Sequence, residues 1–131
     1  MVLDGELDAA IYGAELPDDK RFQSVIPDPE AAARNWHAQH GVVPINHMVV
    51  VTEALARSQP DTVREVYRTL LASKRAAGLP KPGGLDLHPF GFETCRPALR
   101  MIVDYCVQQK LIPRRIEVED LFDANTRALG P

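Results

Sequence analysis

No stretch of this sequence comes near the roughly eighteen consecutive apolar residues that a membrane-spanning helix needs, so no membrane partner is expected. An excess of one charge is also missing. Fifteen Lys and Arg stand against 18 Asp and Glu, for a net charge of −3 and a pI near 5.8. The basic residues come singly or in the pairs Lys20-Arg21, Lys74-Arg75 and Arg114-Arg115. They read as a solvated face, and no nucleic-acid partner is expected. The opening Met1-Val2-Leu3-Asp4-Gly5-Glu6 lacks the basic-then-apolar order of a secretory signal. Phosphate-cradling glycine loops, G-x-S-x-G, H-E-x-x-H and paired C-x-x-C are all absent, which removes the common routes to nucleotide, serine-hydrolase and zinc chemistry. Cysteine is scarce. Cys95 and Cys106 fall eleven residues apart in one predicted helix, on one face but about 16 Å apart along its axis, too far for a disulfide. They read as small apolar residues of a reducing compartment, and a cytoplasmic location is expected.

What is present suits a soluble globular domain. The 131 residues are 45% hydrophobic and 25% charged, enough for one core that buries roughly two thirds of the unfolded surface. Leu7 to Tyr12, ended by Gly13, reads as a short buried strand. Gly13 to Pro27 is turn-rich, with at most one short strand over Phe22 to Ile26. Asp28-Pro29-Glu30 starts a helix, with a capping aspartate, a proline in the first turn and an acid at the positive helix end. It is expected to run to about Gln39 and to stop at Gly41. Val42 to Val51 is the most strand-like stretch, although Pro44 cannot donate to a ladder.

A short helix is predicted from Thr52 to about Arg57, and a longer one from Pro60 through about Ala76, ended by Gly78. In the latter Val63, Val66, Tyr67, Leu70 and Leu71 recur at helical spacing, with Arg64, Glu65 and Arg68 outward. Leu79 to Pro89 reads as a loop. A third long helix, about Phe92 to Lys110, is expected to bury Phe92, Cys95, Leu99, Ile102, Val103 and Cys106. Val118 to Phe122 is expected to add one helical turn that docks Leu121 and Phe122. Two or three strands make a poor sheet of their own, so more sheet is expected from elsewhere in the chain or from a partner subunit.

Chemistry is carried by few residues. His37 and His40 stand at i and i+3 on one helix, but no third ligand lies near, and a surface helix is the preferred reading; no metal is expected. Asn46-His47 places two polar side chains inside a valine-rich run, where each needs a partner. They either hydrogen-bond neighbouring backbone or serve a ligand or proton-transfer role, for which histidine titrates in the right range. Tyr12 lies near the C-terminal end of the first predicted strand, where open α/β sheets place ligands, and Asp8 either joins it or caps a local turn.

Three segments resemble the carboxy-terminal half of 4,5-dihydroxyphthalate decarboxylases: Gly5-Glu6-Leu7-Asp8-Ala9-Ala10-Ile11-Tyr12-Gly13, Gly41-Val42-Val43-Pro44-Ile45-Asn46-His47-Met48-Val49-Val50-Val51, and Gln109-Lys110-Leu111-Ile112-Pro113-Arg114-Arg115. Ser73-Lys74-Arg75-Ala76-Ala77-Gly78 also fits, and the likeness keeps its order along nearly the whole chain. The resemblance implies part of an α/β, two-lobed fold like the type II periplasmic binding proteins, helix-rich with few strands. On it, residues from 1 to about 41 are a second-lobe remnant. Residues from about 42 to 131 supply a crossing strand and first-lobe helices, while an amino-terminal lobe is missing or replaced by a homo-oligomeric partner. It further implies cofactor-free loss of carbon dioxide from a small aromatic carboxylate, with His47 as catalytic acid/base and Asn46, Tyr12 and Asp8 binding substrate. The chain by itself is expected to be catalytically incomplete. The alternative use of the same scaffold is a solute-binding protein for a small carboxylate in a transport system.

Overall fold

The computed structural model describes residues 1–13 and 16–130; Ala14 and Glu15, inside the expected Gly13 to Pro27 loop, and Pro131 lie outside the described residues. Every regular element among them is helical. In chain order they are α1 (Pro29–His40), α2 (Glu53–Ser58), α3 (Pro60–Ala76), α4 (Phe92–Gln108), a 3-10 turn (Val118–Leu121) and α5 (Ala124–Arg127). The chain divides into two compact units, Met1–His40 and Gly41–Pro131.

The expected α/β class is therefore corrected to a helical one. Leu7 to Tyr12, Phe22 to Ile26 and Val42 to Val51 form no strand. A strand is held by the ladder it makes with a neighbour, and β-branched residues without one gain nothing from an extended backbone. From Val42 to Val51 no backbone group hydrogen-bonds within the chain among the described residues. Ile11 is fully exposed, and Val49 and Val50 are 72% and 84% exposed.

In the first unit, α1 begins as expected. Asp28 Oδ1 accepts the Ala31 N–H at 2.9 Å, and Pro29 occupies the first helical position, where a missing N–H costs nothing. Gly41, at φ +69°, ends the helix in the left-handed region. Within α1 the His40 ring stacks on Trp36 with centroids 4.2 Å apart, and its Nδ1 lies 2.9 Å from the Trp36 carbonyl oxygen. Upstream, Arg21 grips both carboxylate oxygens of Asp19, with Nε donating to Oδ1 at 3.0 Å and Nη2 to Oδ2 at 2.7 Å. This planar fork holds the Asp19 pKa down to about 2.

In the second unit, Thr52 caps α2 by accepting the Leu55 N–H on its hydroxyl at 3.3 Å, and Pro60 opens α3. Two helices close with the same paired bonds. After α3, Leu79 N–H donates to Lys74 O (3.2 Å) and Gly78 N–H to Arg75 O (2.9 Å), with Gly78 at φ +64°. After α4, Leu111 N–H donates to Cys106 O (2.8 Å) and Lys110 N–H to Val107 O (3.0 Å). Here a lysine takes the left-handed position, at φ 59°, where glycine is the unstrained choice.

The core is small. Phe92, Leu99 and Val103 of α4 bury against Val118, and Ile45, Cys95, Ile112, Ile116 and Phe122 pack around them. The Phe92 and Phe122 rings meet edge to face at 5.1 Å. Each fully buried side chain of this kind contributes about 1.5–3 kcal/mol. The expected docking of Leu121 is corrected: it is 53% exposed, and Val118, at 2%, is the residue the 3-10 turn buries. Glu119 ties that turn to α4 by pairing with Arg96 and, at 3.3 Å, with Arg100 Nη2. Its carboxyl is held below the usual range first by its own backbone N–H and then by Arg96.

Candidate functional site

The four residues singled out from sequence fall in both units. Asp8 and Tyr12 belong to the first, Asn46 and His47 to the second. Tyr12 is partly covered, its ring edge-to-face with Phe22 at 5.2 Å, while Asp8 is exposed. Asn46 and His47 are both exposed, and neither side chain has a hydrogen-bond partner among the described residues. Of the two readings of Asn46-His47, satisfaction by neighbouring backbone is thus not what this segment does. Ile45, just before it, packs on the core cluster and anchors the run. His47 is left as an imidazole fixed at its base and open to solvent.

A second cluster was not read from sequence. Lys74, near the end of α3, donates from Nζ to Asp86 Oδ2 and to the His88 carbonyl, both at 2.6 Å. Its side chain is only 11% exposed, and the ammonium lies 5.3 Å from the centroid of the Phe90 ring. Asp86 Oδ1 also accepts the His88 N–H at 3.1 Å. Burial alone would raise the Asp86 pKa, but the hydrogen bonds from Lys74 and His88 and their charges outweigh it and hold it below the usual value. Phe90 meets Tyr67 edge to face at 5.3 Å, and the Tyr67 hydroxyl is buried without a partner among the described residues. Burial raises the pKa of both Tyr67 and Cys95, whose thiol donates to the Pro89 carbonyl at 3.6 Å. Cys95 is thus a protonated, unreactive thiol.

A signal for this cluster was present. Tyr67, Leu70, Leu71 and Lys74 share one helical stripe, and a lysine on an apolar stripe needs a carboxylate partner. A shallow pocket of about 240 Å3 lies beside it, with Leu79, Pro80, Leu85 and Leu87 on its walls and Asp86 and His88 among its polar residues. Lys81 also lines it, whereas Lys74, the nearly buried cation of the cluster, is paired with Asp86.

Among the described residues no group of three or more His, Cys, Asp and Glu could hold a metal, and both cysteines are free. No helix of the described residues is long and apolar enough to cross a membrane. Compared with family models, with curated proteins and with solved structures, the chain matches none.

Proposed function

We propose that this chain serves the non-oxidative decarboxylation of 4,5-dihydroxyphthalate to 3,4-dihydroxybenzoate, with His47 as the proton donor. The observation that carries the proposal is the state of His47. It is an exposed, unpartnered imidazole on a segment anchored by Ile45, within the Pro44-Ile45-Asn46-His47 run on which the family resemblance rests.

The chemistry needs little else. Protonation of the ring carbon that bears the leaving carboxylate, helped by electron release from the phenolic oxygens, lets the carbon–carboxylate bond break. Its electron pair returns to the ring and carbon dioxide departs. An imidazole can carry a proton and hand it on, which suits the delivery. Asn46, next to His47 in the same unit, is the proposed binding group. An exposed imidazole shares its proton with bulk water, so turnover by the chain alone is expected to be slow.

The test is carbon dioxide release from 4,5-dihydroxyphthalate by the chain and by its His47→Ala variant. Release that falls about a hundredfold in the variant supports the proposal. Equal release by both overturns it, as does a failure of the chain to bind the substrate.

A further inference from the structure

The run from Val43 to Val51 is uncharged apart from His47 and carries no hydrogen-bonded backbone, yet its first residues are held on the core through Ile45. We propose that this segment pairs with the same segment of a second copy of the chain, as an antiparallel two-stranded ribbon whose two-fold axis passes at His47. The inference concerns assembly; its axis passes at the proposed proton donor, but it does not rest on the decarboxylase chemistry.

The sequence around His47 is matched to itself. With His47 opposite its twin, Val43 faces Val51, Ile45 faces Val49 and Asn46 faces Met48. Alternate residues share a face of a strand, so Val43, Ile45, His47, Val49 and Val51 lie together, and each cross-strand pair on that face except the histidines is β-branched on both sides. Val43 and Ile45 are half-buried, whereas Val49 is 72% and Val51 39% exposed. Pairing sets the exposed valines of one copy beside the anchored residues of the other, at the rim of its core. A second copy thus covers what the single chain leaves bare. His47 facing its twin is the only pair of ionisable side chains in this register, and nothing else in it resembles the lysines and inward charges that keep strand edges apart.

Pro44 fixes the finer geometry. Residues directly opposite alternate between hydrogen-bonded and non-hydrogen-bonded pairs. Pro44 has no N–H, so it belongs to a non-hydrogen-bonded pair with Val50, its nitrogen on the outer edge. His47, Ile45 and Val49 then point their N–H groups at the partner strand. Pro44 on the outer edge also discourages a third strand, which favours a closed dimer over a fibre.

Two exposed positions next to each other test this. Val49→Pro deletes a donor aimed at the partner, once in each strand, whereas Val50→Pro deletes an outward one. Both side chains lie outside the core, so helix content by circular dichroism should be unchanged and controls for folding. Sedimentation over a roughly hundredfold concentration range should show a monomer–dimer equilibrium, with amides of residues 45, 47, 49 and 51 protected from exchange in the dimer. Val49→Pro should weaken it about tenfold or more, and Val50→Pro should leave it nearly as it was. A monomer at every concentration, protection of these amides without a doubled mass, open-ended aggregates, or equal effects of the two prolines each overturns the proposal.

Discussion

Lys74 and Asp86 meet across twelve residues of chain, with Nζ 2.6 Å from Oδ2, and the same ammonium reaches the His88 carbonyl at 2.6 Å. One nearly buried cation thus fastens the loop after α3 back onto its helix, beside the ring of Phe90. The pair is a fastening rather than a reaction centre, since its charges cancel and its neighbours Tyr67 and Cys95 stay protonated.

Lys74→Met keeps the stem and removes the charge, leaving Asp86 without its main partner. Destabilisation of about 1–2 kcal/mol is expected, below the full figure for a buried pair because Asp86 is partly exposed. Urea unfolding measures it, and hydrogen exchange should show the loss concentrated in residues 79–90.

The same pair sets an acid limit. The Asp86 pKa is lowered in the folded chain from an ordinary value of 3.8, so the unfolded chain binds its proton first as pH falls. Its contribution to stability is complete well above pH 3.8 and is lost as pH drops through the lowered folded value. Stability followed from pH 6 to pH 2 (about four units of acidification) should show this loss in the wild type and lose it in Asp86→Asn.

Lys110 stands at φ 59° where α4 ends. Lys110→Gly relieves that left-handed strain while keeping both closing hydrogen bonds, which are made by backbone. A gain of about 0.5–1 kcal/mol in unfolding free energy is expected.

The helices were legible because their signals are local. Asp28-Pro29-Glu30, Thr52, Pro60, Gly41 and Gly78 each act within one turn, and each stands where its chemistry places it in the structure. The strands were misread for the opposite reason. Val42 to Val51 has the composition of a strand, but a strand is completed by a neighbour that composition does not contain. The 3-10 turn was located but its buried face was not, because four residues carry too little periodicity to separate Val118 from Leu121. α5 rests on a single cap, Asp123 accepting the Thr126 N–H at 2.8 Å, and passed unread. Of the candidate site, exposure and lack of a partner at His47 follow from the unpaired backbone around it, which the valines on either side concealed. Lys74 and Asp86 obey no spacing rule, since a loop sets the distance between them.

The most direct test of the account is a titration of the chain with 4,5-dihydroxyphthalate, following the ring-proton NMR signals of its four histidines. The His47 signals are expected to move and saturate, while those of His40, stacked on Trp36, stay in place. Unmoved His47 signals at saturating substrate would contradict it.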